Sequence, residues 1–198
     1  MIEFIKSIDL ILLDLINGTG RPFLDPIMIF LSGKFVWIPL YLYLIFLLYA
    51  QYGKRFWIPL LFILISLTLS DQFTSSFMKP YFQRLRPCLD QSLTIVVEVV
   101  KGCGGKYGFA SSHAANTMGL AVFYLMLLKE KKKILAYAIF TWALMVGYSR
   151  AYLGVHYPGD VMVGFLVGGF FGYLCYQLHN LVLKLSLIHI SEPTRRRG

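Results

Sequence analysis

Residues 134–160 read ILAYAIFTWALMVGYSRAYLGVHYPGD. As far as Tyr148 the stretch is apolar enough for lipid, and then Arg150, His156 and Asp160 fall within the twelve residues from Ser149 to Asp160. An apolar run in a bilayer has to be helical, because hydrocarbon offers no partner to an unpaired backbone group. The sequence therefore puts ionisable side chains at the end of a membrane helix, where such groups point to function.

The same kind of run recurs at about 35–51, 56–78 and 110–128, and again at about 160–183. Crossing a bilayer takes about 20 helical residues. The pattern predicts an all-α, polytopic membrane bundle of about five transmembrane helices, with a short helix over 24–33 leading into the first. The opening segment MIEFIKSIDLILLDLING is predicted to be an amphipathic helix in the membrane surface. On helical spacing Glu3, Lys6, Ser7, Asp14 and Asn17 gather on one side, and Phe4, Ile5, Ile8, Ile11, Leu12, Leu15 and Ile16 opposite. Its acidic residues and its lack of a small-residue cleavage pattern argue against a signal peptide. A sixth, imperfect span is the alternative.

Composition agrees. The chain has 198 residues, 57% hydrophobic and 15% charged, with a mean hydropathy of +0.63. Spans and short loops use nearly all of that length, so residues 1–188 read as a single membrane domain. Residues 189–198 change character abruptly and end in three arginines, a basic tail either native or foreign to the protein. The net charge of +9 points to cytoplasmic loops and anionic headgroups. Nucleic acid is not an expected partner, because the basic residues are scattered among the spans and the aromatic residues suit interfacial belts. The bilayer and an anionic lipid are. The sequence specifies no oligomeric state.

The run KEKKK at 129–133 places that turn on the cytoplasmic side by the positive-inside rule, although the full count, 10 basic residues inside against 9 outside, adds little bias. From His113 to Lys129 is 16 residues, and from Lys133 to Ser149 is 16 again. Two arms of about 24 Å at 1.5 Å per residue then return Ser149 to the face from which the hairpin set out. KPYFQRLRP at 79–87, ASSHAANT at 110–117 and SRAYLGVHYPGD at 149–160 therefore converge on one, outward-facing, end of the bundle.

Lys79, Arg86 and Arg150 bring three positive charges to that end, while Ser111 and Ser112 add hydroxyls and N–H groups at a helix start, where the dipole favours an anion. Guanidinium forks match phosphate oxygens two at a time. Asp160, four residues after His156, is placed to accept Nδ1–H and leave Nε2 as a nucleophile. His113, in the facing cluster, is placed to donate a proton to a leaving oxygen, which predicts a bell-shaped pH profile with neutral His156. Two histidines and a carboxylate can also hold zinc, but three cations beside them repel a divalent ion, so neither metal nor other cofactor is expected.

Lys79-x6-Arg86-Pro87, Ser111-Ser112-His113 and Ser149-Arg150-x5-His156-x3-Asp160 together resemble the three-part signature of the type 2 phosphatidic acid phosphatase and haloperoxidase superfamily. The resemblance runs from the second span to the fifth. It implies a metal-independent phosphatase in which His156 becomes phosphorylated, Asp160 orients it and His113 protonates the leaving group. Lys79, Arg86, Arg150, Ser111 and the Ser112 backbone would hold the phosphoryl oxygens. The middle motif usually reads Pro-Ser-Gly-His, and here Ser112 stands at the glycine position. A chain dominated by spans suits a lipid phosphate. An outward site in a bacterial cytoplasmic membrane makes undecaprenyl pyrophosphate the leading expectation, with phosphatidylglycerol phosphate, phosphatidic acid and lipid A phosphate as alternatives. An anionic-lipid binder or transporter is the non-enzymatic alternative, and it leaves His156, Asp160 and His113 without a purpose.

Other polar residues read as structure. Asp71 is expected to hydrogen-bond between helices, Asn116 and Thr117 either to orient His113 or to pack, and Arg84, Lys101 and Lys106 to enrich the positive field. Gly164, Gly168 and Gly172 mark a smooth face for a neighbouring helix. His179 is expected at the membrane interface, and Cys175 in packing. Cys88 and Cys103 share one loop, where an oxidising compartment permits a disulfide and free thiols are the other reading.

Overall fold

The computed structural model describes residues 2–18, 22–100, 102–128, 130 and 132–191, with the backbone alone at 2, 3, 5 and 186–191. Arg21, Lys101, two lysines of the KEKKK run and the tail at 192–198 lie outside the described residues, as does the His189 side chain. The helices are α1 (Ile2–Asn17), α2 (Asp25–Leu31), α3 (Ile38–Tyr52), α4 (Trp57–Gln72), α5 (Lys79–Phe82), α6 (Ser112–Leu128), α7 (Lys133–Tyr152) and α8 (Pro158–Ser191). A π-helical segment, Phe73–Met78, joins α4 to α5, so that Trp57–Phe82 forms one long helical unit.

Among the described residues four helical segments are long and apolar enough to cross a membrane: Phe35–Arg55, Trp57–Phe82, Lys133–Tyr152 and Pro158–Leu185. The predicted third span is the shorter apolar helix α6, of 17 residues. It is about 25 Å long at 1.5 Å per residue and packs against α4, α7 and α8. The protein is an all-α, multi-pass membrane bundle built around α6. The glycine stripe of α8 is what lets α6 approach: a Cβ on Gly168 would stand 2.0 Å from the Ala115 carbonyl oxygen, and one on Gly172 would stand 2.4 Å from that of Gly119. Small residues at such a crossing allow backbone-to-backbone packing in a membrane. Below it, Phe123, Tyr124, Leu44, Leu48 and Ala143 form the apolar core, with the Tyr124 hydroxyl satisfied by the Leu44 carbonyl at 2.9 Å.

Two boundaries differ from the sequence expectation. α7 runs on to Tyr152, which puts Arg150 in its last turn, where a cation is favoured by the helix dipole. α8 runs on to Ser191, so His179 is not near its end. The His179 ring is fully buried against Tyr52, Phe62 and Phe123.

α1 presents exposed Phe4, Ile8, Ile11 and Leu15, as an amphipathic surface helix should. Its protein-facing stripe, however, is Asp9, Leu13 and Asn17, all buried. The Asn17 amide donates to the carbonyls of Glu98 (2.8 Å) and Tyr152 (2.7 Å) and accepts from the Glu98 N–H at 2.8 Å. It thereby ties α1 both to the long loop before α6 and to the end of α7. Gly154 completes this junction with φ +70°, and a Cβ there would meet the Glu98 oxygen at 2.7 Å. In the same loop Cys88 and Cys103 are joined by a disulfide, with their Cα atoms 6.0 Å apart.

Candidate active site

The segment between α7 and α8 is short because Gly154 turns it and Pro158 starts the next helix at once, its ring being tolerated at a first helical position. That places His156 in the loop and Asp160 in the first turn of α8. Both are buried, at 1% and 0% exposure, and His156 Nδ1 lies 3.5 Å from Asp160 Oδ2. The distance is long for a hydrogen bond. The same Oδ2 accepts the Tyr157 N–H at 3.1 Å, and Oδ1 accepts from Arg84 Nη1 at 2.9 Å. The Asp160 carbonyl accepts the Ser111 N–H at 3.0 Å, locking the second and third clusters together.

A cavity of about 570 Å³ opens over this pair, and Lys79, Arg86, Ser112, His113 and His156 all line it. Arg150 lines an adjoining cavity of about 280 Å³ that shares Ser32, Lys34 and His113 with the first. Its Nη1 donates to Ser32 Oγ. Arg86 is held from behind: Nε donates to the Tyr107 carbonyl at 3.3 Å and Nη1 to that of Val155 at 3.4 Å. Lys79 Nζ donates to Ser112 Oγ at 2.7 Å, and Thr74 and Ser75 of the π-helical segment reach the same hydroxyl at 3.0 and 2.8 Å. The side chain that departs from the family's glycine thus anchors the cavity's lysine. Ser111 is fully buried, does not line the cavity, and offers its hydroxyl 3.5 Å from the Ala114 N–H at the start of α6.

The electrostatics suit an anion. Burial, then Arg86, Arg150 and Lys79, push the His156 imidazole well below the ordinary histidine range, so that it is neutral at neutral pH. Lys34 lines both cavities.

Gly108 and Asp9, which sequence reasoning passed over, complete the site together with Arg84, to which it gave only a share in the positive field. Gly108 leaves room where a Cβ would stand 2.9 Å from Asp160 Oδ2. Arg84 contacts Asp160 and not merely the field around it. Asp9 of α1 contacts Arg84 at 2.5 Å. A carboxylate at i with Leu13 at i+4 and Asn17 at i+8 was the available signal, since a charged group on a face shared with an apolar residue demands a partner. Asp71, for its part, accepts from Asn116 Nδ2 at 3.1 Å, the helix-to-helix bond expected of it, and Thr117 donates to the His113 carbonyl at 2.8 Å.

The PAP2 superfamily profile matches residues 57–184, from the start of α4 nearly to the end of α8. The chain belongs to the PAP2 superfamily. Among curated relatives of this superfamily member, a lipid A 4'-phosphatase of Bacteroides thetaiotaomicron is 38% identical over 190 residues, covering 94% of this chain and 84% of the relative. An undecaprenyl-diphosphatase of Sulfolobus acidocaldarius is 31% identical over 172 residues, covering 85% and 77%. The crystal structure of Aquifex aeolicus LpxE superposes on this PAP2 chain with a TM-score of 0.66 at 25% identity, covering 84% of this chain and 93% of that one.

Proposed function

We propose that this PAP2 protein is a metal-independent lipid phosphatase working through a phosphohistidine. His156 Nε2 attacks phosphorus while Asp160 accepts Nδ1–H. The bond from phosphorus to the lipid oxygen breaks, and His113 delivers its proton to that oxygen. Lys79, Arg86 and Arg150 hold the phosphoryl oxygens, with Ser112 at the start of α6, while Ser111, buried behind the cavity, supports that helix start. Water, deprotonated by the now neutral His113, then attacks phosphorus and frees His156 and inorganic phosphate. The observation that carries this reading is His156, backed by buried Asp160, on the wall of a cavity that Lys79, Arg86 and His113 also line.

A lipid substrate is favoured by a second cavity, about 350 Å³ and almost wholly apolar, which shares Tyr41, Asn116 and Thr117 with the polar one and continues along Leu120 towards Tyr124. Hydrocarbon can lie there while its headgroup reaches His156. The substrate we favour is the phosphomonoester of a lipid A-type glycolipid, the reaction named for the 38% identical relative. Undecaprenyl pyrophosphate is the second reading, supported by the 31% identical relative. The Cys88–Cys103 bridge beside the site fits an oxidising, periplasmic face of a bacterial cytoplasmic membrane.

The test is inorganic phosphate release by purified protein in EDTA from lipid A, undecaprenyl pyrophosphate, phosphatidylglycerol phosphate and phosphatidic acid. The expected result is fastest release from lipid A, and none by His156→Ala. Equal release by that variant would remove the proposed nucleophile, and binding without turnover would make the protein a lipid binder.

A further inference from the structure

α1 is joined to the reaction centre by a chain of charges that spans the whole sequence. Asp9 Oδ2 lies 2.5 Å from Arg84 Nη2, Arg84 Nη1 lies 2.9 Å from Asp160 Oδ1, and Asp160 Oδ2 faces His156 Nδ1 at 3.5 Å. The other Asp9 oxygen accepts the Gly159 N–H at 2.7 Å, in the first turn of the helix that carries Asp160. Arg84 cannot swing away. Its guanidinium stacks 3.8 Å over the Tyr157 ring, whose hydroxyl donates to Asp90 at 3.0 Å, and its carbonyl accepts the Gly108 N–H at 2.9 Å.

The charge balance gives this chain a purpose. Lys79, Arg86 and Arg150 all act on His156, and His113 lies close enough to interact with it. Against them Asp160 is the carboxylate in contact with the ring. Were Arg84 paired with Asp160 alone, a full positive charge would sit on the far oxygen of that carboxylate and drain its attraction for Nδ1–H. Placing Asp9 on the other arm of the same guanidinium brings the three groups to a net charge of −1. We propose that Asp9 is a positioning residue for the His156–Asp160 pair: by sharing Arg84 it leaves Asp160 a whole negative charge for His156, and by capping Gly159 it holds Asp160 in register.

The proposal rests on His156 being the nucleophile, so its test includes that residue. Full-length protein in detergent is assayed on whichever of the four lipid phosphates above the wild type hydrolyses fastest, with thermal unfolding as the check on folding. Asp9→Asn keeps the size and the acceptor for Gly159 but removes the charge. It is expected to lower kcat by about 10- to 100-fold, as outer partners of catalytic groups typically do, with KM changed less than about twofold. Asp9→Glu, which keeps the charge, is expected to recover to within about threefold of wild type. The decisive variant is D9N/R84M: removing the unbalanced cation should make it faster than D9N, whereas loss of mere helix docking would leave it no better. Should D9N fail to fold, Asp9→Glu and the double variant carry the comparison against wild type. Wild-type kcat in folded D9N, or no relief in D9N/R84M, overturns the role of Asp9 while an inactive His156→Ala leaves the nucleophile standing. An active His156→Ala overturns both.

Discussion

Gly108 packs against the Asp160 carboxylate more closely than a residue with a side chain could without displacing it. A Cβ at 108 would stand 2.9 Å from Asp160 Oδ2 and 3.5 Å from His156 Nδ1, against both members of the proposed catalytic pair. Gly108→Ala should therefore displace the carboxylate from the imidazole and leave the cationic wall intact. The expected outcome is a fall in kcat of about 10- to 100-fold with KM little changed, read from steady-state phosphate release.

How much of this was legible in the sequence follows from which physics each feature uses. The convergence of Lys79, Arg86, Ser112, His113 and His156 on one cavity needed only equal helix lengths in the 113–149 hairpin, and arithmetic supplies those. The α6–α8 contact was readable because Gly164, Gly168 and Gly172 repeat at helical spacing. The contacts of Asp9, Arg84 and Gly108 were not readable, because the ion-pair partners of Arg84 lie 75 residues or more away and Gly108 itself lies in an irregular loop. Periodicity places a residue on a face but does not say what stands opposite. The helical wheel grouped Asn17 with the polar side of α1, whereas in the fold it is buried and makes three hydrogen bonds.

Arg86 is 8% exposed and pinned by two backbone carbonyls, a fixed fork that costs nothing to organise when phosphate arrives. Losing one such charge partner typically removes about 3–4 kcal/mol of transition-state stabilisation, so Arg86→Ala should reduce kcat/KM by about 100- to 1,000-fold. Arg86→Lys should recover only part of that, since an ammonium cannot reproduce the fork. Lys106→Ala, at an exposed position against Tyr107, should stay within about twofold of wild type.

The acidity of His156 sets the acid side of the pH profile. Burial and the cations Arg86, Arg150 and Lys79 hold it below its ordinary value, so the proposed nucleophile stays neutral as pH falls. The acid limb of kcat/KM should lie below about pH 6.5, the unperturbed histidine value. The effect on stability has the matching sign. With the folded pKa depressed, the unfolded chain takes up the proton first, so this contribution is present above about pH 6.5 and is lost as pH falls from there towards the folded value. Thermal unfolding of His156→Gln should accordingly show a weaker loss of stability below that pH than the wild type.

Asn17 fastens α1 to both the loop at Glu98 and the end of α7 at Tyr152. Asn17→Ala leaves buried backbone groups without partners, at about 1–3 kcal/mol for each group that water cannot reach. The melting temperature in detergent should drop, and because the same junction supports the turn at Gly154 before His156, kcat should fall as well.

The most direct test is to trap the covalent intermediate. Protein incubated briefly with phosphate-labelled lipid A and quenched in alkali, in which a phosphohistidine survives, is digested and its label located by mass spectrometry. The expected result is phosphate on the peptide carrying His156, labile in acid and absent from His156→Ala. Label on any other residue, or full turnover by His156→Ala with no label at all, would contradict the assignment.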